Sequence, residues 1–204
     1  MRLPAEQRRL QLLEVARDTF AQRGFHATSM DDLAAAAGVT KPVLYQHFSA
    51  KRALYIELLE SLGAELLAEL GRATTAVTSG RERVERGFAA YFHWVAANPS
   101  SFRLLFGASV RNDAEFAAVV DEFLAAAVDA VKPLIDIAVP DEQRTVLANA
   151  IVGLAEATSR RALADGGEVD DVEQLANWLA ELAWFGLRGV RAGQPAPTTA
   201  SVTA

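Results

Sequence analysis

The chain has 204 residues, 51% of them hydrophobic and 23% charged, and it contains no cysteine. That length suits one large domain or a small module joined to a larger one, with enough core to need no covalent staple. The missing cysteines exclude disulfides, thiolate zinc sites, iron–sulfur clusters and cysteine nucleophiles. The net charge of −6 hides an asymmetry: residues 1–52 carry eight Lys or Arg against five Asp or Glu, and the remainder twelve against twenty-one. A locally basic N-terminal segment can supply phosphate contacts even in an acidic protein, because the relevant potential is local.

In chain order, almost every segment repeats its apolar residues with a helical period. Glu6 to Gly24 spaces Leu10, Leu13, Ala16 and Phe20 by three or four, and Gly24 is a natural stop. A short helix follows from about Ser29 to Ala37. Thr28 or Ser29 is the expected cap, Asp31 and Asp32 suit its positive end, and Gly38 closes it. A third runs from Thr40, with Pro42 in its first turn, to Phe48. Ser49 is the expected cap of a long fourth helix towards Leu70.

Further helices are expected from Arg81 to Ala97, where Asn98-Pro99 breaks the pattern, and from Ser101 to Phe106. Another covers Asp113 to Ala138, with Pro133 expected to kink or shorten it. The next runs from Pro140-Asp141 to Ala164, closed by Asp165-Gly166-Gly167, and the last from Val169 to Val190. No segment alternates as a strand would, so the class is all-α. The tail from Gly193 is small and polar, and disorder is expected there. The division expected is 1–52, 53–192 and a tail of 193–204. The longest uncharged run, Gly87 to Phe102, is interrupted by His93, Asn98 and Pro99. A membrane span needs about 20 largely apolar residues, so a soluble protein with no membrane partner is expected. No secretory signal is visible at the start, and a cytoplasmic location is expected.

The region from Phe25 to Leu54 carries most information. Two short helices joined by a tight Gly38-Val39 turn have the form of a helix-turn-helix, whose second helix enters the major groove. Val39, Leu44 and Phe48 make an inward stripe. Thr40, Lys41, Tyr45, Gln46 and His47 leave a face able to bond phosphates and base edges. The motifs Gly24-Phe25-His26-Ala27-Thr28-Ser29-Met30, Ala37-Gly38-Val39-Thr40-Lys41 and Leu44-Tyr45-Gln46-His47-Phe48, with Lys51, closely resemble the N-terminal signature of the TetR/AcrR family of transcriptional regulators. The match covers roughly residues 8–55. Pro42 departs from it, standing where the family often has Gly.

The resemblance implies that Tyr45, His47 and Lys51 contact the DNA backbone. It implies also that Thr40, Lys41 and Val43 lie where bases or adjacent phosphates are read, and that Thr28 and Ser29 meet phosphate. Gln46 has the groups to read adenine. Arg52 reads as a solvated helix start. Arg8, Arg9 and Arg17 read as an exposed face of the first helix, with Arg8 or Arg9 able to reach flanking phosphates. His26 and His47 make no metal pair, and no cofactor is expected.

Beyond Arg81 aromatic residues concentrate. An ordinary core would use them in the same way. The resemblance instead implies an inducer enclosed among the middle helices, and an apolar pocket suits a hydrophobic ligand. Phe88, Tyr91, Phe92, Val95, Phe102, Arg103, Phe106, Phe116, Val120 and Phe123 are the candidate lining, with His93 and Asn98 as further polar candidates. The segment Lys41 to Phe48, with Arg2-Leu3-Pro4, resembles actinobacterial regulators of lipid and fatty-acid metabolism, which implies a long-chain acyl-CoA or lipid-like effector. The last two helices are apolar on more than one side. Ala150, Gly153, Leu154 and Ala157, with Trp178, Leu182 and Phe185, are read as a homodimer seam, the alternative being a larger monomeric core. The expected function is thus a homodimeric, ligand-responsive regulator, in this family most often a repressor. It would bind a palindromic double-stranded operator and be released by a small hydrophobic effector. No catalytic constellation is present, so no enzyme is expected. The rival is a hydrophobic-ligand carrier whose helix-turn-helix no longer binds DNA.

Overall fold

A computed structural model describes residues 4–75, 77–163 and 171–190. Among these the regular structure is helical throughout, as the absence of alternating patterns requires. The elements are α1 (Ala5–Arg23), α2 (Met30–Ala36), α3 (Lys41–His47), α4 (Lys51–Thr75), α5 (Gly80–Ala97), α6 (Pro99–Phe106), α7 (Ala108–Arg111), α8 (Ala114–Val131), α9 (Asp141–Ala162) and α10 (Val172–Gly189). No described helix is long and apolar enough to cross a membrane.

The local chemistry explains most boundaries. Ser29 caps α2 by accepting from the Asp32 amide, and Asp32 in turn accepts from the Ser29 amide, so two orphan donors are satisfied reciprocally. At the other end the Val39 and Gly38 amides donate to Ala34 and Ala35. That closure needs a left-handed residue, and Gly38 supplies it at φ +63°. Asn98 ends α5 and Pro99 opens α6, as the dipeptide predicts.

Three sequence expectations are corrected. The fourth helix begins at Lys51 rather than at a Ser49 cap, and it continues to Thr75. The helix expected to reach Ala138 ends at Val131, and Lys132–Leu134 form a 3-10 turn instead. Pro133 therefore stops this helix rather than bending it. The single turn α7 was not foreseen. The expected Asp165-Gly166-Gly167 stop, the start of the last helix at Val169 and the tail 193–204 lie outside the described residues.

One continuous apolar core runs from Leu12, Phe20 and Leu44 at the N-terminal end, through Leu54, Leu58, Leu62 and Leu66 of α4, to Phe92, Leu105 and Phe116. Helix α4 is the shared wall. It packs on α1 at one end and on α5 and α8 along the rest, while α10 lies against α5 and α9 against α8.

Candidate nucleic-acid interface and internal cavity

Helix α3 is held by its apolar residues and free on its polar ones. Leu44 and Phe48 are fully buried and Val39 packs against the same core. Thr40, Lys41, Tyr45 and Gln46 are exposed, whereas Val43 and His47 are half-buried at the edge of that face. Thr40 occupies the cap position without making a side-chain cap bond, which leaves its hydroxyl for another partner. Lys41 reaches Asp31 at 2.9 Å across the turn, and this carboxylate raises the lysine's pKa above its usual value. Exposed pairs of this kind hold weakly, so a phosphate can take over the ammonium. Ser29 is exposed, but its hydroxyl already donates to Asp32 at 2.6 Å.

Two residues predicted to meet phosphate, Thr28 and Lys51, are bonded within the chain. The Thr28 side chain is buried, and its hydroxyl donates to the Gly24 carbonyl at 2.8 Å. The Lys51 ammonium donates to the carbonyls of Phe25 and Thr28, both at 2.7 Å, and lies 4.3 Å from the centre of the Phe25 ring. Lys51 thus ties the loop before α2 onto the start of α4. Arg9 is likewise committed, to the Glu57 carboxylate and the His47 carbonyl, stacked over Phe48.

Arg52 is not the free surface cation that the sequence suggests. Its guanidinium spans Asp113 and Glu115 at 2.7–3.0 Å, and it sits 4.6 Å from the centre of the Phe116 ring. Arg52 holds the Asp113 carboxyl down at about 2, with the Phe116 and Glu115 amides assisting. Beneath it, Phe116 meets Phe25 edge-on at 4.8 Å and Tyr55 at 4.7 Å. Burial pushes the Tyr55 phenol up to about 12, a rise moderated by its bond to Ser109. The start of α8 is therefore bonded to the helix-turn-helix through Arg52, Phe25 and Tyr55.

A cavity of about 260 Å³ opens between α4, α5, α8 and α9. Of the predicted lining, Phe88, Tyr91, Phe106 and Phe123 face it. Phe92, Val95, Phe102, Phe116 and Val120 are buried in the core away from it. Arg103 is exposed and borders a smaller hollow near Phe20 and Tyr55. His93 is exposed and faces Glu173, and the Asn98 amide bonds the Trp94 carbonyl. The remaining wall consists largely of aliphatic and small residues that the aromatic pattern of the sequence does not mark: Leu66, Leu70 and Gly71 of α4, Ala127 and Ala130 of α8, and Ile151 of α9. Small side chains are the usable signal, since a cavity forms where a helix presents Gly or Ala to its neighbours.

Within the described chain α9 and α10 each turn apolar residues outward. Trp178, Leu182, Phe185 and Val146 are about 60% exposed. Ala150, Gly153 and Ala157 are exposed on α9, and Leu154 is half-buried. A Cβ added at Gly153 would meet no atom within 4 Å. Among the described residues, no group of three His, Cys, Asp or Glu is placed to hold a metal.

Comparison with known proteins accords with this geometry. Residues 12–58 match the family model of bacterial regulatory proteins of the tetR family, and residues 80–186 match a tetracyclin repressor-like C-terminal domain. The chain is 33% identical over 191 residues to the transcriptional activator FasR of Mycolicibacterium smegmatis, covering 93% of this chain and 87% of that one. A TetR-like regulator from Rhodococcus sp. RHA1 superposes with a TM-score of 0.74 at 29% identity, covering 93% of this chain and all of its own. The regulator FadR of Bacillus subtilis, solved with stearoyl-CoA, shares the fold, with a TM-score of 0.74 at 15% identity over 89% of this chain and 99% of its own. With a helix-turn-helix ahead of a helical body that encloses a cavity, and a full-length relative that is a regulator, the chain belongs to the TetR family of bacterial transcriptional regulators and is not an enzyme.

Proposed function

We propose that this protein is a cytoplasmic, homodimeric DNA-binding regulator whose affinity for a palindromic operator is set by a hydrophobic, acyl-bearing effector in the α4–α9 cavity. The observation that carries the reading is the double duty of α4 and α8. Both wall the cavity through Leu66, Leu70, Phe123 and Ala127, and both hold the helix-turn-helix at their first turns through Lys51, Arg52, Asp113 and Phe116. An effector that changes the spacing of these helices changes the setting of α3.

The dimer follows from the outward apolar faces of α9 and α10, since exposed patches of this kind usually mark an interface. Two copies of α3 then meet half-sites about 34 Å apart, one turn of DNA. The effector acts only through differential affinity: it must bind the DNA-incompetent form more tightly. A 100-fold change in operator affinity corresponds to about 2.7 kcal/mol of coupling. Tyr45, Gln46, Thr40 and Lys41 supply the direct contacts. Thr28 and Lys51 support them from behind.

The test is selection of binding sites from a random duplex pool with protein stripped of small molecules, followed by titration of acyl-CoA into the complex. A palindrome from which the acyl compound releases the protein is the expected result. Recovery of no specific site from a folded dimer would overturn the reading and leave a ligand carrier. A reporter driven by the recovered site supplies the sign. Repression, the expectation from the family, raises expression when the protein is removed, whereas activation of the FasR kind lowers it.

A further inference from the structure

Helix α5 begins with an unusual concentration of charge: Arg81, Glu82, Arg83, Glu85 and Arg86. Four of these pair among themselves one turn apart, Arg81 with Glu85 at 2.7 Å and Arg86 with Glu82 at 2.8 Å. Arg83 is left over. Its helical neighbours at the i±3 and i±4 positions are Ser79, Gly80, Arg86 and Gly87, so no carboxylate shares its face. Among the described residues it makes no ion pair, and its one bond is a long 3.5 Å contact from Nη2 to the Thr78 carbonyl. Among the described residues its buried Nε–H has no hydrogen-bond partner.

Arg83 lines the cavity. It stands two turns before Tyr91 on the same helix, a rise of about 12 Å, and the wall between them is Val84, Gly87 and Phe88. The other charged residue of the lining, Glu156, is already paired with Arg160. A buried donor on an always-charged side chain is costly to leave unmade, and it is satisfied best by an anion that accepts from the guanidinium fork. Tyr91 marks a second polar point. Its buried hydroxyl lies beside that of Ser159, and neither has another hydrogen-bond partner among the described residues.

We infer that Arg83 is the headgroup site of the effector, and that the effector is an anionic amphiphile whose carboxylate or phosphate sits on this guanidinium while its apolar chain lies along α4 and α8. The inference rests on the proposal that the cavity holds the effector, and it adds the charge of the ligand and the end at which it lies.

Calorimetric titration of ligand-stripped dimer with decanoate, decanoyl-CoA and 1-decanol tests both. At least one of the two anions is expected to bind 10-fold or more tighter than the alcohol. Arg83→Gln is expected to abolish that preference, and Arg83→Lys to retain part of it. Decanoate in the lead identifies a carboxylate on Arg83, and decanoyl-CoA in the lead a phosphate. Equal affinity for alcohol and anions, or an undiminished preference in folded Arg83→Gln, overturns the headgroup site while leaving the cavity reading intact. Failure of all three to bind overturns both.

Discussion

Arg52 and Asp113, 61 residues apart, meet as a two-pronged ion pair, Nη1 to Oδ1 at 3.0 Å and Nη2 to Oδ2 at 2.7 Å. The same carboxylate caps α8, accepting from the amides of Glu115 and Phe116. One side chain thus fixes both the start of a cavity helix and its attachment to the DNA-reading end.

The pH dependence of this joint has a definite sign. Asp113 is held at about 2, below the ordinary aspartate value of roughly 3.9. A carboxyl depressed on folding stabilises the native state above its unfolded pKa, and loses that contribution as pH falls through its folded pKa. Asp113→Asn keeps a good capping side chain but removes the charge. Its urea midpoint is expected to fall below wild type at pH 7, with the difference shrinking between about pH 4 and pH 2. An equal difference across that range would show that the ion pair contributes nothing.

The roles proposed for Tyr45 and Lys51, contact and support, can be separated by substitution. Tyr45 is 45% exposed beside a well-buried Leu44. Tyr45→Ala is expected to weaken operator binding at least tenfold while leaving the melting temperature within a degree or two, since surface substitutions usually stay within about 0.5 kcal/mol. Lys51→Ala strips two carbonyls of their donor and is expected to cost about 1–3 kcal/mol of stability as well as DNA affinity. Denaturation and mobility-shift measurements on both variants check the distinction. Equal stability in the two would remove the internal role of Lys51.

At Gly63 helix α4 has no side chain, and the Phe123 side chain of α8 lies directly against it. A Cβ there would lie 2.9–3.2 Å from the ring and Cβ of Phe123, a residue of the cavity wall. Gly63→Ala is therefore expected to destabilise by about 1–3 kcal/mol and to weaken effector binding by pushing that ring inward. Gly71→Ala is the control on the same helix. A Cβ there meets nothing within 4 Å, so a gain of up to about 1 kcal/mol from helix propensity is expected. Similar changes in the two midpoints would mean that the crossing tolerates a methyl group.

The outward faces of α9 and α10 carry the assembly prediction. Leu182→Glu and Phe185→Glu alter exposed residues of the single chain, so each is expected to leave the helical content unchanged. Each is also expected to weaken self-association at least about tenfold, as truncating an apolar anchor does at interface centres. Sedimentation across a concentration series measures this directly, and an undisturbed dimer in both variants would move the seam elsewhere.

Much of this architecture was legible from residue types at short spacing. Ser29 with Asp32, Gly38 after a run of alanines, and Asn98-Pro99 each declare a boundary through chemistry acting within four residues. The stripe of Val39, Leu44 and Phe48 orients α3 by periodicity alone. What the sequence hid depends on distance along the chain. Lys51 looks like a phosphate contact and Arg52 like a solvated cation, and only the fold brings Phe25 to one and Asp113 to the other. Phe116 looks like pocket material by its aromaticity, yet it anchors the α4–α8 joint because Phe25 and Tyr55 lie beside it. The cavity was half seen for a different reason. Aromaticity marks Phe88 and Phe123 as wall residues but not Gly71, Ala127 and Ala130, whose short side chains leave the space.

Lys51 and Arg52 are neighbours with different partners, one bonded to the loop before α2 and the other to the start of α8. The expected boundary at residue 52 falls on this step. Chimeric regulators, built by exchanging DNA-reading modules between proteins of this architecture, would cut here if guided by sequence. Such a graft separates a guanidinium from the two acids and the ring that receive it, and leaves Phe25 without Phe116. A functional exchange has to carry the donor's residues at 113, 115 and 116 with the incoming module, so the unit of transfer is discontinuous in sequence.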